Sequence, residues 1–592
     1  MHRSISTAAV LTGALWLSTM PLSSQAEVFC VDTATGLQTA LSTAAINGED
    51  DEVRIVQGTY FGNFRYVSAE GFDLSIQGGW SPACATQEVD PSNTILDGAQ
   101  NDTVLVLSVP SATAKLMLHG ATLRNGYQSS AGGGLKVKGN DSGSLTVTFS
   151  AFNFNTSGAG GGVDIESLDS ATFINNTFRD NVATLDGGGA RIRDLNSITM
   201  TNNTISGNAS GNVGGGVYAK SFGRIAFSNN SVDGNSANGN RLYGGGGVFA
   251  RSRIITFSHN TVSENASGYY GGGVHVDGSD MVTFSGNLMK GNVARVSGGG
   301  IYSSNSRSVA FVNNVIDRNG SDYYGGGIYA INPSRLRLTN NTLVGNADRL
   351  RGGGLYVRLL ESSPASDGTI FGRWNDQNQS DIESQLDYGA TLYNNIFLSN
   401  NADDAADFYI NNDSDYDRTP SPVALSHNNF DQTPGLGYGT NIPVIIDPNN
   451  LDAVDPLFVD PDSGDLSLLP DSPMINAGDP ETPDLPATDI IGNPRVFGGV
   501  VDIGAYEWRD APVLDGECLL DWAETEYPRS FAPAGVETVD RSPLFYRVYS
   551  QSRTALGYNE ERALVYFRNR EGEVRDMGAL ETWLERAGCL TQ

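Results

Sequence analysis

The sequence has little of what most catalytic and metal centres are built from, with five histidines and four cysteines in 592 residues. The cysteines sit two near each end, at Cys30, Cys84, Cys518 and Cys589. No Cys/His spacing resembles a zinc site, so metal binding through those residue types is excluded. Long apolar runs are also missing, and no stretch reaches the roughly 18 residues that a membrane-spanning helix needs. Basic residues are in deficit, 37 against 67 acidic ones, for a formal net charge of −30. Nucleic acid is excluded as the main partner, because its phosphates would be repelled. Charged residues make up only 18% and hydrophobic ones 39%, which is neither a charge-rich disordered chain nor a membrane bundle. Glycine is plentiful, at 71 residues, without the G-X-Y period of collagen.

Residues 1–26 read as a signal peptide: Arg3, an apolar stretch from Ala8 to Leu17, then Ser24-Gln25-Ala26 as a small-x-small cleavage site. Export places the even cysteine count in an oxidising compartment, and the expected pairs are Cys30–Cys84 and Cys518–Cys589, one staple at each end. The expected location is extracellular or on the outer surface, with the periplasm second.

The middle of the chain is periodic. GGG begins at Gly132, Gly160, Gly187, Gly214, Gly245, Gly271, Gly298, Gly325 and Gly352, in steps of 26 to 31 residues. Two asparagine columns keep the same beat, Asn176 to Asn341 and, five residues behind, Asn181 to Asn346. Short alternating runs such as Ile225-Ala226-Phe227-Ser228 lie between these markers. One such unit cannot bury a core, but stacked units can, each strand pairing in parallel with its counterpart in the next. The spacing therefore predicts an all-β, right-handed parallel β-helix of about 27 residues per coil. Asparagine would form amide ladders and tolerate the left-handed turn region, while the glycines would permit close approach of coils. A calcium-binding nonapeptide roll and a propeller fail on motif and on repeat length. The expected layout is a cap region at 27–60, whose helix from Thr35 to Asn47 covers the first coil. The β-helix follows at 61–508 with an insertion at about 361–386, and a small α+β module at 514–592 is stapled by its disulfide.

At its two ends this pattern resembles bacterial β-helix proteins of the choice-of-anchor type. The opening carries Asn47-Gly48-Glu49-Asp50-Asp51-Glu52 and Val56-Gln57-Gly58-Thr59-Tyr60. The close carries Asp455-Pro456-Leu457-Phe458-Val459-Asp460, Ser472-Pro473-Met474-Ile475-Asn476-Ala477-Gly478 and Asp502-Ile503-Gly504-Ala505-Tyr506-Glu507. The GGG-aliphatic and Phe-x-x-Asn elements also look like polymorphic outer-membrane-protein repeats, which are linked to adhesion. Both resemblances imply a secreted or cell-surface protein, and neither carries over a catalytic residue.

If the aliphatic after each GGG points inward, the next residue points outward. That column reads Lys136, Asp164, Arg191, Tyr218, Phe249, His275, Tyr302, Tyr329 and Tyr356. Tyr270 and Tyr324 stand just before a GGG, and Glu166, Arg193, Lys220 and Arg251 lie in the outward column beside. Aromatic faces on a rigid rod suit a polysaccharide or cell-surface glycan, with cations available for uronate or sulfate groups. The same rings read equally as cross-strand packing. If the chain is a polysaccharide lyase or hydrolase, Arg191, Lys220, Arg251 and His275 form the one plausible cluster, with Asp164 and Glu166 as a carboxylate pair, although the next coil sets Arg191 and Arg193 against that pair as ordinary cross-rung partners. Asp460, Asp462 and Asp465 are weak candidates for calcium, and no other cofactor is implied. The leading expectation is a non-catalytic, adhesin-like glycan binder. A carbohydrate-active enzyme and a structural surface-layer component are the alternatives.

Overall fold

The computed structural model describes residues 26–592, apart from 111–112, 240–242, 360–388, 413–422 and short stretches between 510 and 592. The signal segment, the insertion with its Trp374, and Cys589 lie outside the described residues. Two compact units are present: one of residues 1–456, 460–466 and 473–507, the other of 457–459, 467–472 and 508–592.

The first unit is a parallel β-helix. Each regular coil runs from a GGG turn into a four-residue strand, then a five-residue strand, a three-residue strand and a two-residue strand. Strands of one kind stack in parallel, and the sheet that holds the three-residue strands has 14 strands among the described residues. Coils one period apart stay in register, as in Thr177↔Thr204, Phe178↔Ile205 and Arg179↔Ser206. Stacking begins before the expected boundary at 61: Glu27–Val31 already pairs in parallel with Asp51–Val56. It ends before 508, with Leu451–Asp452 on Asn429–Phe430. The helix Ala34–Ala44 is capped by Thr33, whose Oγ1 accepts the Gly36 N–H at 3.1 Å. Its buried Leu37, Ala40, Leu41 and Ala44 join the coil core. Cys30 and Cys84 form the expected disulfide.

The repeat markers have separate physical jobs. The first glycine of a GGG takes the left-handed turn, with Gly187 at φ +68°. The second and third admit the neighbouring coil, since a Cβ on Gly188 would stand 2.3 Å from the Gly215 carbonyl oxygen. Ladder asparagines are buried and fully bonded. The Asn208 side-chain amide donates to Asn235 Oδ1 at 2.9 Å and to the Phe178 carbonyl at 2.9 Å, while its backbone N–H donates to the same Oδ1 at 3.0 Å. The expectation that ladder asparagines themselves turn left-handed is corrected. The residue before each does so, as at Asn175, Asn202, Asn229 and His259. The ladder residue must aim its amide inward along the stack, so its predecessor turns the corner. Inside, Phe227, Phe257, Phe284 and Phe311 stack at 4.9 to 5.1 Å between ring centroids.

Residues 473–507 have no place in the coil and double back along its flank as a strap. Arg495, with no solvent exposure, donates to Glu507 Oε1 at 2.8 Å, to the carbonyls of Gly504 and Ala505, and to Asn313 Oδ1 at 2.6 Å. Asn340 donates to the Asp502 carbonyl at 3.0 Å. The closing motifs therefore build the clasp of this strap.

The second unit contains the helix Gly516–Glu526 and a five-stranded antiparallel meander from Val536 to Ala579. Its core includes Leu519, Leu520, Leu556 and Val565. Cys518 is disulfide-bonded.

Candidate functional site

The outward column after the GGG runs in unbroken register from Lys136 through Asp164, Arg191, Tyr218, Phe249, His275, Tyr302 and Tyr329 to Tyr356. It extends one rung further to Tyr409. The sequence reading missed this rung because Ala405-Ala406-Asp407 replaces GGG after the insertion. Asn400, in the second ladder 54 residues past Asn346, was the available signal.

These side chains point away from the coil core and yet are not exposed. Phe249, His275, Tyr302, Tyr329 and Tyr356 retain at most 8% of their surface. The expected open aromatic strip is therefore corrected to a closed ring stack. The cover comes from the tyrosines that precede a GGG, each lying over the column residue of the following coil. Tyr270 stacks on Tyr302 at 4.3 Å, Tyr324 on Tyr356 at 4.8 Å and Tyr243 beside His275 at 6.1 Å. Accessible ring surface lies on this rim, with Tyr243 and Tyr323 at 40% and 44% exposure and Tyr218, Tyr270 and Tyr324 half-buried.

Burial governs the chemistry of the stack. It pushes the Tyr302 and Tyr329 phenols well above the usual range, and neighbouring phenols add to the shift, so neither supplies a base near neutrality. Burial pushes His275 down to about 4, against the opposing pull of Asp277. Its Nδ1 accepts the Gly244 N–H at 3.1 Å, which places the proton on Nε2, and Nε2 has no hydrogen-bond partner. His275 is thus a neutral rung between Phe249 and Tyr302.

Asp164, Glu166, Arg191 and Arg251 are engaged in ion pairs between coils. Arg191 Nε donates to Asp164 Oδ1 at 2.6 Å. Burial raises the Asp164 carboxyl and Arg191 opposes the rise. Glu166 pairs with Arg193 and with Lys138, the latter at 3.3 Å, and although burial pushes it up these cations hold it below the usual carboxylate range. Asp164 and Glu166 are thereby occupied as counter-ions. Arg251 lies 3.6 Å from Asp277, which also accepts from Ser304 Oγ at 2.8 Å. Lys220 lies in register between Arg193 and Arg251, a cationic run in a strongly acidic chain.

The Asp460-to-Asp465 segment is a turn seated on cations. Asp460 Oδ1 accepts the Ser463 N–H at 3.3 Å, while the Ser463 carbonyl accepts from Lys290 at 3.1 Å and the Pro461 carbonyl from Arg318. Among the described residues no three His, Cys, Asp or Glu side chains gather to hold a metal ion. No helix among them is long and apolar enough to cross a membrane, which says nothing about a β-barrel.

A family model for the right-handed β-helix region matches residues 112–288, 210–369 and 248–442, together more than half of the chain. The chain belongs to that family. No curated protein matches it. Among solved structures it is similar to a mannuronic acid specific polysaccharide family 6 lyase from human gut microbiota. The identity is 13% and the TM-score 0.29, over 71% of this chain and 82% of the other.

Proposed function

We propose that this right-handed β-helix protein is an exported, non-catalytic, adhesin-like binder of glycans. Its ligand contacts the tyrosine rim, and the buried stack serves as the foundation. The observation that carries the reading is the rim itself. Tyr243, Tyr270 and Tyr324 are held against closed ring layers, so their accessible faces are fixed before any ligand arrives. Lys220 and Arg251 stand beside Tyr218 and Phe249 and would meet carboxylate or sulfate on the sugar. Surface display fits the choice-of-anchor resemblance of the chain ends. The test is retention on immobilised polysaccharides, acidic and neutral, with calcium and with chelator. Tyr243→Ala, at an exposed ring, is expected to weaken binding about tenfold while leaving thermal stability unchanged. Absence of retention across the panel sinks the reading in favour of a structural surface component.

A second reading, cleavage of an acidic polysaccharide, rests on Lys220. This cation lies on the same strand as the Tyr218 ring, two residues away on the same face. Shortened chains after incubation, lost in Lys220→Ala, would replace the binding reading with this one.

A further inference from the structure

The two corners of a coil that flank the three-residue strand are left-handed, and along the stack they are polar residues or glycine. At the first corner stand Gly120, Asn175, Asn202 and Gly286, and at the second Asn125, Asp180, Gly207 and Gly234. One coil breaks the rule at both corners. Phe149 has φ +48° and Phe154 φ +56°, a region a bulky side chain rarely adopts. Both rings are exposed, at 42% and 56%. Packing does not explain the pair. Phe149 makes an edge contact with His119 at 5.8 Å, and among the described residues Phe154 has no ring partner.

Between the two rings runs Ala151–Asn153, so they bracket a strip at most about 16 Å long. Asn153 lies outward between Arg124 and Arg179 of the adjoining coils, and its buried amide oxygen has no hydrogen-bond partner. Both arginines are neutralised, Arg124 by Asp97 at 2.8 Å and Arg179 by Asp180 at 3.2 Å. Two strained, exposed aromatic faces with the charge between them balanced match an uncharged chain whose sugar rings can stack on them.

We infer that Phe149 and Phe154 form a second carbohydrate-binding site, for a neutral glycan, on the three-residue-strand face. It stands independently of the tyrosine rim, which is built on the four-residue strands. The test is affinity electrophoresis of the full chain through gels containing hydroxyethylcellulose or galactomannan, alongside thermal melting. Phe149→Asn with Phe154→Asn installs a residue type used at other corners. This double variant is expected to melt at the same temperature or higher and to lose at least about tenfold in affinity for the neutral gel. The inference is overturned if the protein runs unretarded in both gels, or if the double variant is retarded like the parent. A lower melting temperature in the double variant also overturns it, because the rings would then be structural.

Discussion

The sheet of three-residue strands has two halves with the same backbone and opposite surfaces. Past Thr122 and Ala151 its outward column runs through Thr177, Thr204, Ser231 and Thr261, and the last three of these are exposed. It continues as Leu288, Val315, Thr342 and Ile396, of which the last three are buried. The strap makes the difference. The Ala505 N–H donates to Thr342 Oγ1 at 3.0 Å, and a Cβ on Gly504, at φ +105°, would stand 2.6 Å from the Ile396 side chain. Corner asparagines follow the same division, exposed at Asn202 and Asn229 and buried at Asn313, Asn340 and Asn394. An outward position on a β-helix is therefore polar or apolar according to what lies on it, while the coil beneath is unchanged.

The largest break in this comparison is expected from Arg495→Ala. Removing the guanidinium leaves Glu507 buried without its partner, and the loss should be about 3–5 kcal/mol, read by chemical denaturation. Limited proteolysis should then cut first within 473–507, since the apolar half of the sheet loses its cover. Next come the ladders, which run beneath both halves. Asn230→Ala and Asn341→Ala each orphan several buried donors and acceptors, and should cost about 2 kcal/mol or more apiece. Equal costs would show that the ladder is indifferent to the strap, whereas a markedly larger cost at Asn341 would show that the strap draws on it.

Acidity provides a third test. Burial raises Asp348 to about 7, and Asp407 and Asp51 to about 6, from 3.8 in the unfolded chain. The folded protein therefore keeps protons that the unfolded chain releases. Stability should decline as pH rises from about 4 to about 7, with the melting temperature higher at the acidic end. Asp348→Asn should flatten the upper part of that slope. The smallest effects are expected from one substitution in each half. Thr204→Val, on the bare half, should stay within about 0.5 kcal/mol. Val315→Thr, under the strap, should cost about 1–2 kcal/mol by burying a hydroxyl.

Much of the coil could be read from residue spacing, because stacking requires the same group at the same height in every turn. Gly188, Gly215 and Gly246 recur since only glycine admits the neighbouring coil's carbonyl there, and Asn176, Asn203 and Asn230 recur since each amide satisfies the one before. Alternation also placed the column from Asp164 to Tyr356 on the outward side. Its accessibility could not be read, because Tyr270 covers Tyr302 from an adjacent coil and no local pattern marks that contact. The counter-ion role of Asp164 and Glu166 was legible, because one period places Arg191 and Arg193 against them.

Residue spacing specifies the coil, its period, its ladders and the identity of its columns, since these follow from contacts that repeat at fixed intervals. Which outward residues meet solvent follows from tertiary contacts, made by rim tyrosines of an adjacent coil and by a strap more than 150 residues further along the chain that packs down once. A contact that occurs once leaves no period to read, and exposure of a side chain depends on such contacts.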